Sequence, residues 1–165
     1  MSLEVSKIHP INEAIASDIK HQLRLQGHHL TGALEASIKG TEKIAIDETT
    51  LSATALGYIE DLEDGVPASE IKINSQTLAE MTRYVELRMG YKGSKAQQVA
   101  LLILQKQKKE GNPTDNSYNY SQTGARKFAI EITFNKNEAK YFNAMDNVVE
   151  DYLDAEFHQL KNETI

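Results

Sequence analysis

The feature that most constrains this chain is an apolar repeat near its start. Ile8, Ile11, Ile15, Ile19 and Leu23 recur at spacings of three and four residues. An α-helix puts such positions on one face, so the first element is an amphipathic helix that must bury its stripe against a partner. Asn12 sits near the expected helix start, and Gly27 is a natural stop. The opening residues, MSLEVSKIHPINEAI, lack the apolar centre of a signal peptide. No apolar run approaches the roughly 18 residues that a membrane span requires.

Partners for that stripe are read downstream. In HHLTGALEASIKG, His28 to Gly40, Thr31 can cap a short helix whose Leu34 and Ile38 fall four apart on one face. Gly32 and Ala33 keep the turn small enough for a close neighbour. Lys43 to Asp47 alternates as a strand, Asp47 to Thr50 reads as a turn, and Leu51 to Leu56 returns as a second strand. The segment Leu56 to Asp64 fits helix and strand equally. Ser75 is placed to cap a helix with Leu78, Met81, Val85 and Met89 inward, ending at Gly90. Ser94 is placed to cap the next, with Ala96, Val99, Ala100 and Ile103 inward. Lys106, Lys108 and Lys109 crowd its last turn, where cations favour the helix dipole, before Gly111 and Pro113 end it.

Residues 111–124, GNPTDNSYNYSQTG, are polar and turn-rich, the composition of a functional or a flexible loop. Phe128, Ile130, Ile132 and Phe134 then alternate as a strand. Asn135 or Asn137 opens a last helix with a broad stripe of Phe142, Met145, Val149, Tyr152 and Leu153. This order predicts an α+β domain: a small, mainly antiparallel sheet packed by an N-terminal helix, a middle helix pair and a long C-terminal helix. A length of 165 residues with 40% apolar content suits a single domain over 1–165, with a flexible loop at about 111–124.

Charge is distributed unevenly about a net of −6. Eight acids against Lys43 give −7 over 42–70, and seven bases against Glu86 give +6 over 83–109. Seven acids against Lys140 and Lys161 give −5 over 138–163. An acidic chain is a poor non-specific binder of nucleic acid, because that affinity rests on phosphate neutralisation. Solvated faces explain such segments. So does a basic face of one copy meeting an acidic face of the next. With no cysteine there is no disulfide and no thiolate metal site, which fits assembly in reducing cytoplasm.

Chemistry is sparse. His21, His28 and His29 lack metal-ligand spacing, and adjacent imidazoles rarely reach one ion. Glu60, Asp61, Glu63 and Asp64 form an acidic run without the bend glycine of a calcium loop, and read as a solvated or partner-facing edge. No nucleophile elbow, phosphate loop or dinucleotide fingerprint occurs, so the expectation is a non-enzyme without cofactor or metal. Tyr118 and Tyr120, beside Asn112, Asn116 and Asn119, suit protein contact because Tyr offers large area at low entropic cost.

Three words of the sequence carry a resemblance. LTGALEASI over Leu30 to Ile38 resembles the TG-x-L-x-x-S-I element of tailed-bacteriophage tail-completion, neck (head–tail connector) and minor tail proteins. Its matching residues are Thr31, Gly32, Leu34, Ser37 and Ile38. Tyr58, Glu63 and Gly65 resemble that family's Y-x(4)-E-x-G element, although Val66 stands where Thr is frequent. Ala96 to Pro113 resembles the helix that precedes the family's long loop. The resemblance implies a structural virion protein at the head–tail joint or tail, made in the host cytoplasm. It further implies a ring of six or twelve copies against neighbouring portal, neck or tail-tube proteins. Glu60, Asp61, Glu63, Asp64, Lys106, Lys108, Lys109, Asn112, Tyr118 and Tyr120 are the expected interface residues. The alternatives are a non-viral adaptor domain that binds through the tyrosine loop and, third, a metal-dependent hydrolase.

Overall fold

A computed structural model describes residues 5–29, 31–44 and 49–163. Within them the chain runs α1 (Val5–Leu25), α2 (Ala33–Ser37), β1 (Lys39–Ile44), β2 (Thr49–Thr54) and α3 (Ile59–Asp64). It continues through α4 (Ser75–Met89), α5 (Gly93–Glu110), a 3-10 turn (Asp115–Tyr120) and α6 (Ala129–Glu163). The fold is α+β: a two-stranded antiparallel sheet, paired from Lys39 with Thr54 to Ile44 with Thr49, among six helices of the described residues.

The stripe on α1 behaves as its spacing predicts, with Ile8, Ile11, Ile15, Ile19 and Leu23 all buried. Leu34 and Ile38 join Ile11, Ile15, Ile19 and Leu23 from α2 and its end, and Ala129 and Tyr141 join from α6. The helix starts earlier than expected, so Asn12 lies inside it. There its Nδ2 donates to Glu42 Oε1 (3.0 Å) and to the Ser52 carbonyl (3.3 Å), tying helix to hairpin. At the other end Gly27 closes α1 with a positive φ of 76°. The His28 N–H returns to the Leu23 carbonyl and the Gly27 N–H to that of Arg24, the Schellman pattern. A second, smaller core lies between α4 and α5, where Val85 packs on Ala96 and Ala100.

Several local expectations are corrected. The sheet begins at Lys39, before the expected Lys43. Ala45 to Glu48, the rest of that strand and half of the turn, fall outside the described residues. Thr49 and Thr50 belong to β2, and Leu56 lies beyond its end. Helix α4 is capped by Asn74, one residue before Ser75, in a reciprocal capping box with Thr77. Helix α5 opens after Lys92 without a side-chain cap, so Ser94 sits inside its first turn. Met89 is exposed rather than inward. Of the ambiguous segment Leu56 to Asp64, Ile59–Asp64 forms the helix α3, after a turn at Gly57 and Tyr58.

The largest correction is the expected strand at Phe128 to Phe134: Phe128 precedes α6 at a positive φ of 60°, and the rest lies in the first two turns of that helix. Ala129, Thr133 and Tyr141 are the buried positions, at spacings of four and eight, while Phe128 and Phe134 are exposed. Small side chains face the core here, so alternation of the large ones misleads. The helix opens before Asn135 and Asn137. Of its expected stripe, Phe142, Val149 and Leu153 are exposed, and Met145 packs toward the core with Tyr141, Ala144 and Val148.

Candidate functional site

The α1 end, α2, α3, the α4–α5 pair and the segment after α5 surround a cavity of about 550 Å³. That is the size of a small-ligand pocket, roughly 300–1,000 Å³. Of the candidate site residues named from sequence, His28, His29, Thr31, Gly32, Leu34, Tyr58, Lys106, Asn112, Asn116 and Tyr120 line it. All three words that carried the resemblance therefore reach one place. Glu60, Asp61 and Asp64 are exposed elsewhere on α3, and neither Lys108, Lys109 nor Tyr118 lines the cavity.

Each word has an identifiable structural use. Thr31 is not the helix cap. Its Oγ1 accepts from the Ala33 N–H (3.3 Å), and the cap position is Gly32 at φ 74°. A Cβ on Gly32 would meet only His29 Cε1, at 3.6 Å, so this glycine supplies a left-handed turn and not a close approach. Close approach belongs to Gly27, where a Cβ would lie 2.6 Å from the Tyr120 carbonyl oxygen. Ser37 Oγ donates to the Leu34 carbonyl (2.6 Å) and accepts from the Leu56 N–H (3.0 Å), joining the α2 end to the end of the hairpin.

Glu63 reaches across to the start of α6. Its two carboxylate oxygens accept from the N–H groups of Ile130 (2.9 Å) and Glu131 (3.0 Å), and its carbonyl from Phe128 N–H (3.0 Å). A carboxylate there satisfies orphan donors and meets the positive end of the helix dipole. Gly65 lies against Asn112: a Cβ would be 2.8 Å from the Asn112 carbonyl oxygen. Val66 and Asn112 exchange both backbone hydrogen bonds, at 2.7 and 2.8 Å. The Y-x(4)-E-x-G word thus caps one element and clasps another.

The walls are amphipathic and carry a surplus of positive charge. Leu62, Met81, Tyr84 and Ile103 supply apolar surface, and Arg88, Lys106 and Arg126 supply cations. Glu35 is the carboxylate among the lining residues, and it is already engaged by Arg24 and by His29 Nδ1. Burial pushes its pKa up, but those two partners outweigh burial and hold it below the usual range. Lys106 pairs with Glu110 at 3.6 Å. The Arg126 guanidinium donates through Nη1 to the Gln26 carbonyl, and its buried Nε has no hydrogen-bond partner among the described residues.

His28 rests its Nε2 3.1 Å from the Arg126 carbonyl. Burial, reinforced by the Arg126 charge, lowers its pKa to about 4, so the ring is neutral at pH 7. A carbonyl only accepts, which puts the proton on Nε2. Arg126 itself is pulled below its ordinary range by burial; Tyr84 counteracts this, and Arg88 adds to it. Sequence reasoning missed Arg126, Arg88, Tyr84 and Glu35. The one signal was Glu35 inside an otherwise apolar helical word; Arg126 sits in an aperiodic stretch that carries none.

Among the described residues no three His, Asp or Glu side chains are grouped to hold a metal ion, and no helix is long and apolar enough to cross a membrane. The polar stretch at 111–124 contains the 3-10 turn, and the Gln122 N–H donates to the Leu25 carbonyl at the α1 end (2.8 Å). No protein-family model, curated protein or solved structure matches this chain.

Proposed function

We propose that the chain is a structural virion protein of a tailed bacteriophage, part of the head–tail neck or tail-completion ring. The observation that carries this reading is the meeting of the three resembling words around one cavity. The TG turn forms one wall, Tyr58 another, and the Gly65–Asn112 clasp joins the second word to the third. Words that resemble one family in the same order gain weight when each has a defined job in a single construction. In this reading the chain acts by assembly with copies of itself, as a ring of six or twelve, and with portal, neck or tail-tube neighbours. A heterologous interface that closes by rotation produces such rings.

The test is quantitative mass spectrometry of phage particles whose genome encodes the chain. The reading predicts the chain in purified particles at six or twelve copies per particle. Its absence from particles, with the capsid and portal proteins present, overturns it.

A further inference from the structure

The far half of α6 has an unusual surface. Val149, Leu153 and Phe157 form a row at four-residue spacing, 39%, 47% and 68% exposed. Asp146, Glu150 and Asp154 form a second row at the same spacing, all exposed, and neighbouring rows of this kind share one helix face. Helix α6 runs antiparallel to α1: Lys136 reaches Gln22, Lys140 pairs with Asp18 and Lys7 with Asp151. Residues beyond about Asp154 therefore extend past the described start of α1. The cavity at the other end shows the complementary pattern, with Met81, Tyr84 and Ile103 beside the cationic side chains of Arg88, Lys106 and Arg126.

These two surfaces do not meet within one chain. Arg126 lines the cavity and stands three residues before α6, whose 35 residues carry the far end about 50 Å away at 1.5 Å each. We infer that the acidic, apolar end of α6 from one copy docks at the cationic cavity of a second copy, with Phe157 and Leu153 against Tyr84 and Met81 and the acidic row facing Arg88 and Arg126. Opposite charge selects this pairing over contact between two acidic α6 ends. The contact is head-to-tail, so it leaves one unused end on every copy added until a ring closes. The inference rests on the ring reading for its closure, and on the two surfaces alone for its contact.

Because the chain has no cysteine, the test is clean. The double variant Asn116→Cys, His158→Cys places one thiol at the cavity and one at the α6 end. Mild oxidation is expected to give a ladder of covalent oligomers on non-reducing gels, while each single variant stops at dimers. Adding Asp154→Lys, an exposed change that leaves the fold intact, or Arg88→Glu is expected to cut the ladder about tenfold, the equivalent of about 1.4 kcal/mol. Dimers alone from the double variant, or a ladder that neither charge reversal weakens, overturn the contact. Rings seen by microscopy without a ladder discard this contact and keep the ring reading. A charge-dependent ladder of open chains that never close keeps the contact and discards the ring.

Discussion

The core around α1 and the core between α4 and α5 are built from different material. The first draws Ile11 through Leu23, Leu34, Ile38, Ala129 and Tyr141 from elements far apart in the chain. The second is Val85 against Ala96 and Ala100, from two helices adjacent in sequence. Large side chains gathered over long separations bury more apolar area per residue and make the unit indivisible. Small ones let two helices approach closely but bury little. The α4–α5 pair is accordingly held to the rest by a few ties: the Val66–Asn112 bridge, the Arg88 donation to the His29 carbonyl (3.0 Å) and the Lys108 donation to the Ser69 carbonyl (3.5 Å). The cavity lies along that junction, where a stable body meets a lightly attached helix pair.

Emptying each core in turn has the largest expected effect. Ile19→Ala should cost about 3–4 kcal/mol and Val85→Ala about 2 kcal/mol in chemical denaturation, by lost transfer energy plus cavity. Equal costs would deny the asymmetry. Next comes the clasp. Gly65→Ala meets a left-handed backbone and a carbonyl within 2.8 Å, so a loss of about 2–3 kcal/mol is expected. Hydrogen exchange should show that loss concentrated in α4 and α5; a uniform change across α1 and α6 would count against the clasp.

Acid sharpens the same boundary. The His28 pKa lies near 4 in the folded chain against 6.5 ordinarily. Below pH 6.5 the unfolded state takes up a proton that the folded state refuses, so stability falls as pH drops toward 4. The expected loss by pH 4 is about 2 kcal/mol, allowing for the part of the ring that solvent reaches. His28→Gln should flatten that part of the profile. The smallest effect is expected at Glu63. Glu63→Ala removes the carboxylate that caps α6, at about 1 kcal/mol in thermal unfolding, and Glu63→Gln should recover part of it.

What the sequence disclosed follows the same division. The α1 stripe was legible because large apolar residues recur at helical spacing. The α4 and α5 faces were legible because apolar residues, small ones included, recur at the same spacing, and the α+β class because a hairpin follows α1. The start of α6 was not, because Ala129 and Thr133 face the core and the phenylalanines do not, so the visible period is that of the wrong face. The far α6 stripe looked like core for the converse reason: its apolar residues are exposed. At the cavity, the words around Thr31, Tyr58 and Asn112 could be picked out. Arg126 could not, since its partner Gln26 lies a hundred residues away and leaves no local period, and Glu35 left only the signal of a carboxylate in an apolar helical word. Glycines divide likewise: the left-handed turn at Gly32 and the close approach at Gly27 look identical in sequence.

Head-to-tail joining of copies is the step on which the proposed ring depends. Negative-stain microscopy with mass photometry on the purified chain, across a salt series, tests it most directly. Closed rings that loosen as salt rises are expected, because screening weakens the exposed part of the charge pairing. A monomer at every protein concentration and every salt concentration would contradict it.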